Sequence, residues 1–244
     1  MAIRYKSKIL DHLGLVASMF DELGLGEVLD EVIPQDQVQR KVSVGQAVKA
    51  MVLNGLGFVN QRLYLVPRFF ENKPTERLIG QGIRPEHLND DTLGRALDAL
   101  YVHEVTALYA RLSVQAARRL GLECRFGQLD STSFLVDGEY NSGEEPDAKV
   151  IHITRGYSRD RGRELNQVVL DLMTEHQAGL PLFMKPLSGN SEDKAQFKQV
   201  VGAHLDQLRE ATAIEYLVAD SALYTEATLK AWGRVNGSPG FRSP

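Results

Sequence analysis

The chain has 244 residues, 43% hydrophobic and 25% charged, enough apolar material to bury a core in one large domain or two smaller ones. Its single cysteine, Cys124, excludes an internal disulfide framework and a cysteine-built zinc site. A reducing, cytoplasmic setting is expected, and no apolar run reaches the ~20 residues that cross a bilayer, so neither export nor a membrane partner is expected. The formal net charge is -4, and residues 1–124 carry 15 Lys+Arg against 15 Asp+Glu, so an anionic partner would have to meet local clusters rather than bulk charge.

The first half reads as helices. Ser43 to Gln46 has the S-x-x-Q form of a capping box, and Ala47, Val48, Met51, Val52 and Leu56 then recur on one helical face, with a stop near Gly55 to Gly57. A second helix starts at Asn89 or Asp90 ahead of Leu93, Ala96, Leu97 and Leu100. A third carries Val105, Leu108, Tyr109, Leu112 and Ala116 to a stop at Gly121, with Arg111, Arg118 and Arg119 beside its stripe.

Past Cys124, short Val/Ile/Leu/Phe-rich runs alternate with Gly, Pro, Asn and Asp, which predicts strands near 126–136, 166–174, 180–187 and 215–219. An acidic, turn-rich loop spans 139–147, and Ser191 caps a predicted helix carrying Glu192 and Asp193 in its first turn. Three consecutive strands, a helix and a fourth strand is how an RNase H-like domain begins, with its first and fourth strands side by side.

Asp130 and Asp220 each close an apolar run and are each followed by serine. A carboxylate there costs desolvation unless a cation meets it, so the two together point to a shared metal pocket for in-line phosphoryl transfer. Either one alone reads equally as a turn or helix cap. Ser131, Ser133 and Ser221 adjoin them, with hydroxyls placed to orient the carboxylates, and nothing in their surroundings has the pattern of a serine hydrolase. The run Arg155, Tyr157, Ser158, Arg159, Arg161, Arg163 holds four guanidinium groups that suit phosphates, or else form a solvated hairpin tip. The six histidines lack ligand spacing, with His152 notable only for lying close to the arginines. A hydrolase using Asp130 and Asp220 as acid and base on a non-nucleic substrate is the other enzymatic reading; with Trp232 the only tryptophan, no sugar-stacking surface is evident.

The segments G-Q-L-D-S-T-S-F, R-G-Y-S-R-D-R-G-R-E-L-N-Q, P-L-S-G-N-S-E-D and L-V-A-D-S-A-L-Y-T, in that order, resemble the DDE transposases of bacterial insertion sequences, in the group with a strand-rich insertion before the last catalytic acid. The resemblance extends over residues 1–232 and includes the stretches 41–58 and 88–98. It implies Mg²⁺ (or Mn²⁺) held by Asp130 and Asp220 as the first two acids. It also implies a helical N-terminal region that binds the ends of the mobile element, DNA as partner, phosphate contacts from the arginine run, a nucleoid-associated location and room for a homo-oligomer. The expected architecture is α+β: a helical DNA-binding region over 1–124, an incomplete RNase H-like α/β domain over 125–233, and an aberrant tail over 234–244.

The family takes its third acid from a helix well beyond the second aspartate, and here the only later carboxylate is Glu226, better suited to a helix N-terminus. Codons for residues 235–244 can, in another frame, spell Ser-Glu-Trp-Ile-Thr-Arg-Val-Pro-Glu-Ser, close to the family's continuation. A frameshifted fragment is therefore expected, with strand transfer absent or nearly so. A non-catalytic role, holding element ends and inhibiting a full-length transposase, is the alternative.

Overall fold

A computed structural model describes residues 7–35, 40–58, 61–138, 140, 150–156, 165–191 and 214–219. The chain divides into two compact units, Met1–Leu120 and Gly121–Pro244. Among the described residues no helix is long and apolar enough to cross a membrane.

In the first unit the described residues form seven α-helices, α1 (Leu13–Glu22), α2 (Leu25–Val32), α3 (Val44–Gly55), α4 (Val66–Phe70), α5 (Thr75–Leu78), α6 (Asp90–Val102) and α7 (Val105–Leu120). The Ser43 capping box forms in both directions: the Gln46 amide donates to Ser43 Oγ at 3.1 Å and the Ser43 amide to Gln46 Oε1 at 3.0 Å. Asn89 Oδ1 caps α6 by accepting from the Thr92 amide at 2.9 Å. Leu13, Leu29, Leu53, Phe70, Leu78, Leu88 and Leu93 are essentially removed from solvent and make the core. Gly45 of α3 lies against the backbone of Gly26 in α2, where a Cβ would come within 2.8 Å of the Gly26 Cα; only glycine permits that crossing.

That crossing also sets which face of α3 turns inward. Val44, Ala47, Ala50 and Leu53 are buried, Val48 and Met51 pack at the margin, and Leu56, expected on the inner face, is 53% exposed. Leu97 in α6 and Val105 in α7 likewise face outward. Each helix had an apolar stripe wider than the face its neighbours could cover. The helices α1 and α2, whose junction is a left-handed Gly24 with φ 69°, and the short α4 and α5 have no counterpart among the elements expected from sequence.

The second unit holds one mixed sheet of β1 (Phe126–Val136), β2 (Thr154–Arg155), β3 (Asn166–Glu175), β4 (Pro181–Ser188) and β5 (Tyr216–Ala219). β1 runs antiparallel to β3 and parallel to β5. The far edge of β3 is shared end to end, β4 pairing along Val168–Thr174 and β2 continuing the row at Gln167 and Asn166. Four of these strands were expected within a residue or so of their observed ends; β2, two residues long, was not. Gly189 lies where β2 passes the end of β4, with a would-be Cβ 2.9 Å from the Gln167 carbonyl carbon, so no side chain fits there. The expected helix after Ser191 and the tail fall outside the described residues.

Candidate functional site

Asp130 is the fifth of the eleven residues of β1, in the middle of the ladder, opposite Leu172 of β3. Its side chain is exposed, and its Oδ1 accepts from the Ser131 amide at 2.9 Å. An exposed carboxylate keeps its hydration, so the desolvation argument for a cation, made from sequence, does not hold at this position. The carboxylate is open to solvent and to a ligand, and as a hard oxygen donor it fits Mg²⁺ or Mn²⁺. Among the described residues no group of three or more His, Cys, Asp and Glu side chains is placed to hold a metal ion.

Asp220 lies just outside the described residues, as do Tyr157, Ser158, Arg159, Arg161 and Arg163. What is described is the strand that leads to Asp220. β5 pairs with β1 in parallel, Phe126 with Tyr216, Gly127 with Leu217, Gln128 with Val218 and Leu129 with Ala219, so the residue before Asp130 is matched with the residue before Asp220. That register is held at its start: Glu215 and Tyr216 donate their amides to the Arg125 carbonyl at 3.0 and 3.1 Å, and Arg125 Nε meets Glu215 Oε2 at 2.7 Å. The Phe126 and Tyr216 rings stack with centroids 5.0 Å apart, and the Arg125 guanidinium lies over both. The Glu215 carboxylate raises the pKa of this guanidinium further, so Arg125 stays positively charged.

Alternation separates Asp130 from its serine neighbour. Ser131 points to the other face of the sheet, and its Oγ donates to Asp171 Oδ1 of β3 at 2.7 Å rather than orienting Asp130. Asp171 is fully buried, and the next residue across the sheet is Lys185 of β4. Burial lowers the Lys185 pKa, and the Asp171 charge partly restores it. Sequence reasoning passed over this Ser131, Asp171, Lys185 row; its signal was an acid, Asp171, inside a run of alternating apolar residues.

Glu175, at the end of β3, is another buried acid missed from sequence. Burial alone would raise its carboxyl pKa, but the amides of Leu180, Gln177 and Ala178 donate to it, at 3.0, 2.6 and 2.6 Å, and hold it below its ordinary value. It closes the β3–β4 turn and faces Gly127 across the ladder, three residues from Asp130. Arg155 is exposed in β2, paired with Asn166. His152 is fastened through its backbone, donating to Ser188 Oγ and accepting from the Gly189 amide, both at 3.0 Å.

Residues 5–114 match a protein-family model described as a domain of unknown function, DUF4277. No curated protein matches the chain. Among solved structures, the Mos1 transposase paired-end complex with left transposon end is similar at 8% identity and a TM-score of 0.30, covering 83% of this chain. The chain spans 60% of the length of that transposase, and so loose a likeness carries neither fold nor function.

Proposed function

We propose that the chain acts in DNA transposition as an insertion-sequence transposase, or a fragment of one, in which Asp130 and Asp220 ligate Mg²⁺ or Mn²⁺ for DNA strand cleavage and transfer. The observation that carries this reading is the parallel β1–β5 register, Leu129 against Ala219. Asp220 is covalently next to Ala219, about 3.8 Å away between Cα atoms, and paired strands run about 4.8 Å apart. Those two lengths favour two carboxylates reaching one ion. The pairing of β4 with β3 and β3 with β1, all antiparallel, with β5 parallel beside β1, supports reading this unit as the beginning of an RNase H-like sheet.

When bound, the metal would supply charge neutralisation at the scissile phosphate and an activated oxygen nucleophile. The chain's own contribution is the β1–β5 strand pair, which carries Asp130 and leads to Asp220, with the exposed Arg155 of β2 open to a phosphate and Arg159, Arg161 and Arg163 following it in the sequence.

The test pairs metal binding with DNA nicking on the full chain. Asp130→Asn should lose Mn²⁺ affinity and any Mg²⁺-dependent nicking of supercoiled DNA, while thermal stability stays within about 0.5 kcal/mol of the parent because the side chain is exposed. Equal Mn²⁺ affinity in parent and variant would sink the metal site. DNA binding with Mn²⁺ affinity but without nicking would leave an end-binding inhibitor in place of a catalyst.

A further inference from the structure

A cleft of about 500 Å³ in the first unit opens between the segment entering α3 and the start of α6, and three cations line it: Arg40, Lys41 and Arg95. All three side chains are exposed, and none takes part in an ion pair among the described residues. The one carboxylate in the lining, Glu86, is already met by Arg84 Nε at 3.0 Å. Ser43, Asn89 and Thr92 add neutral polar groups at the same walls.

The helix ends themselves are not the attraction. The first three amides of α3 are taken, Val44 by Gln35 Oε1 at 2.9 Å, Gly45 by Asp30 Oδ1 at 2.7 Å and Gln46 by Ser43 Oγ at 3.1 Å. α6 opens with Asp90 and Asp91, which oppose an anion there. What remains on the concave surface is two guanidinium groups, Arg40 and Arg95, without an ion pair among the described residues, and the Lys41 ammonium, which shares its field with Glu86; such groups seek phosphate oxygens.

We infer that this cleft grips the phosphate backbone of duplex DNA. Its lining holds no Phe, Tyr or Trp, so an unpaired base or a free nucleotide would find no stacking platform, whereas a backbone phosphate needs only the charges and hydroxyls present. The inference rests on the proposed role in transposition for the choice of DNA, and it assigns sequence-independent positioning to this cleft, separate from any metal chemistry on the sheet.

The test is fluorescence anisotropy of the full chain on a short labelled duplex across a salt series. Replacing Arg40, Lys41 and Arg95 together by alanine should weaken duplex binding by about tenfold or more and make the dependence of log Kd on log salt shallower by about three, one unit per lost phosphate contact. The matched variant Arg40→Lys with Arg95→Lys keeps the charges and should keep the slope. A triple alanine variant of Arg111, Arg118 and Arg119, exposed on α7, should bind like the parent. An unchanged slope in the cleft variant, a parent that holds no duplex, or equal binding of single strands, overturns the inference. Loss of nicking in Asp130→Asn is read separately, so a failed cleft leaves the proposed chemistry standing, and a failed metal site leaves the cleft.

Discussion

Removing the charge of Glu175 should loosen the sheet that carries Asp130. In Glu175→Gln the amide oxygen can take the place of Oε1 and keep the Ala178 and Leu180 donors, but the new NH₂ group must face the Gln177 amide across 2.6 Å. One charge-assisted bond, worth ~1.5–3 kcal/mol, is lost, and the other two fall to about half their strength. The turn donors at 177 and 178 are exposed, so water recovers part of the loss, and the net cost is about 2–3 kcal/mol. Urea unfolding of the full chain, followed by circular dichroism in parent and variant, measures it. Because the folded state lowers the Glu175 pKa from its ordinary 4.5, the stabilisation is complete above that pH and is lost as pH falls through the folded value. The gap between the two proteins should therefore close in acid. A gap that stays constant from about pH 7 down to about pH 3, or a variant as stable as the parent near neutrality, would refute the assignment.

Two further outcomes test the packing around the candidate sites. Ser131→Ala removes the hydroxyl that donates to the fully buried Asp171 at 2.7 Å, and should cost ~1.5–3 kcal/mol in urea unfolding without lowering the Mn²⁺ affinity of Asp130, which faces the other side of the sheet. Gly45→Ala forces a methyl into the Gly26 backbone, where nothing flexible can yield, and should lower the stability of the first unit by ~1–3 kcal/mol, read as a fall in its melting temperature.

Much of the local structure was legible from the residues alone. The starts of α3 and α6 were readable because a Ser or Asn that satisfies an orphan amide does so within three residues, whatever the rest of the chain does. The long strands were readable because β-branched runs bounded by turn residues are equally local. α1 and α2 went unread although Leu13, Ala17 and Phe20 form a buried stripe and Gly24 supplies the break.

What the chain could not reveal by itself was which partner each residue would meet. Whether Leu56 is core or surface depends on how closely Gly26 approaches Gly45, and a side chain's own polarity does not determine that distance. The adjacent Asp130 and Ser131 looked like one site, yet the pleat sends them to opposite faces, one to solvent and one to a buried acid 40 residues away. The match of Leu129 with Ala219 was likewise decided by the Arg125, Glu215, Phe126 and Tyr216 clamp. Caps and hydrophobic runs act over a few bonds and are written in order along the chain, whereas register and burial are settled by contacts between distant segments, which exist only once the sheet has formed.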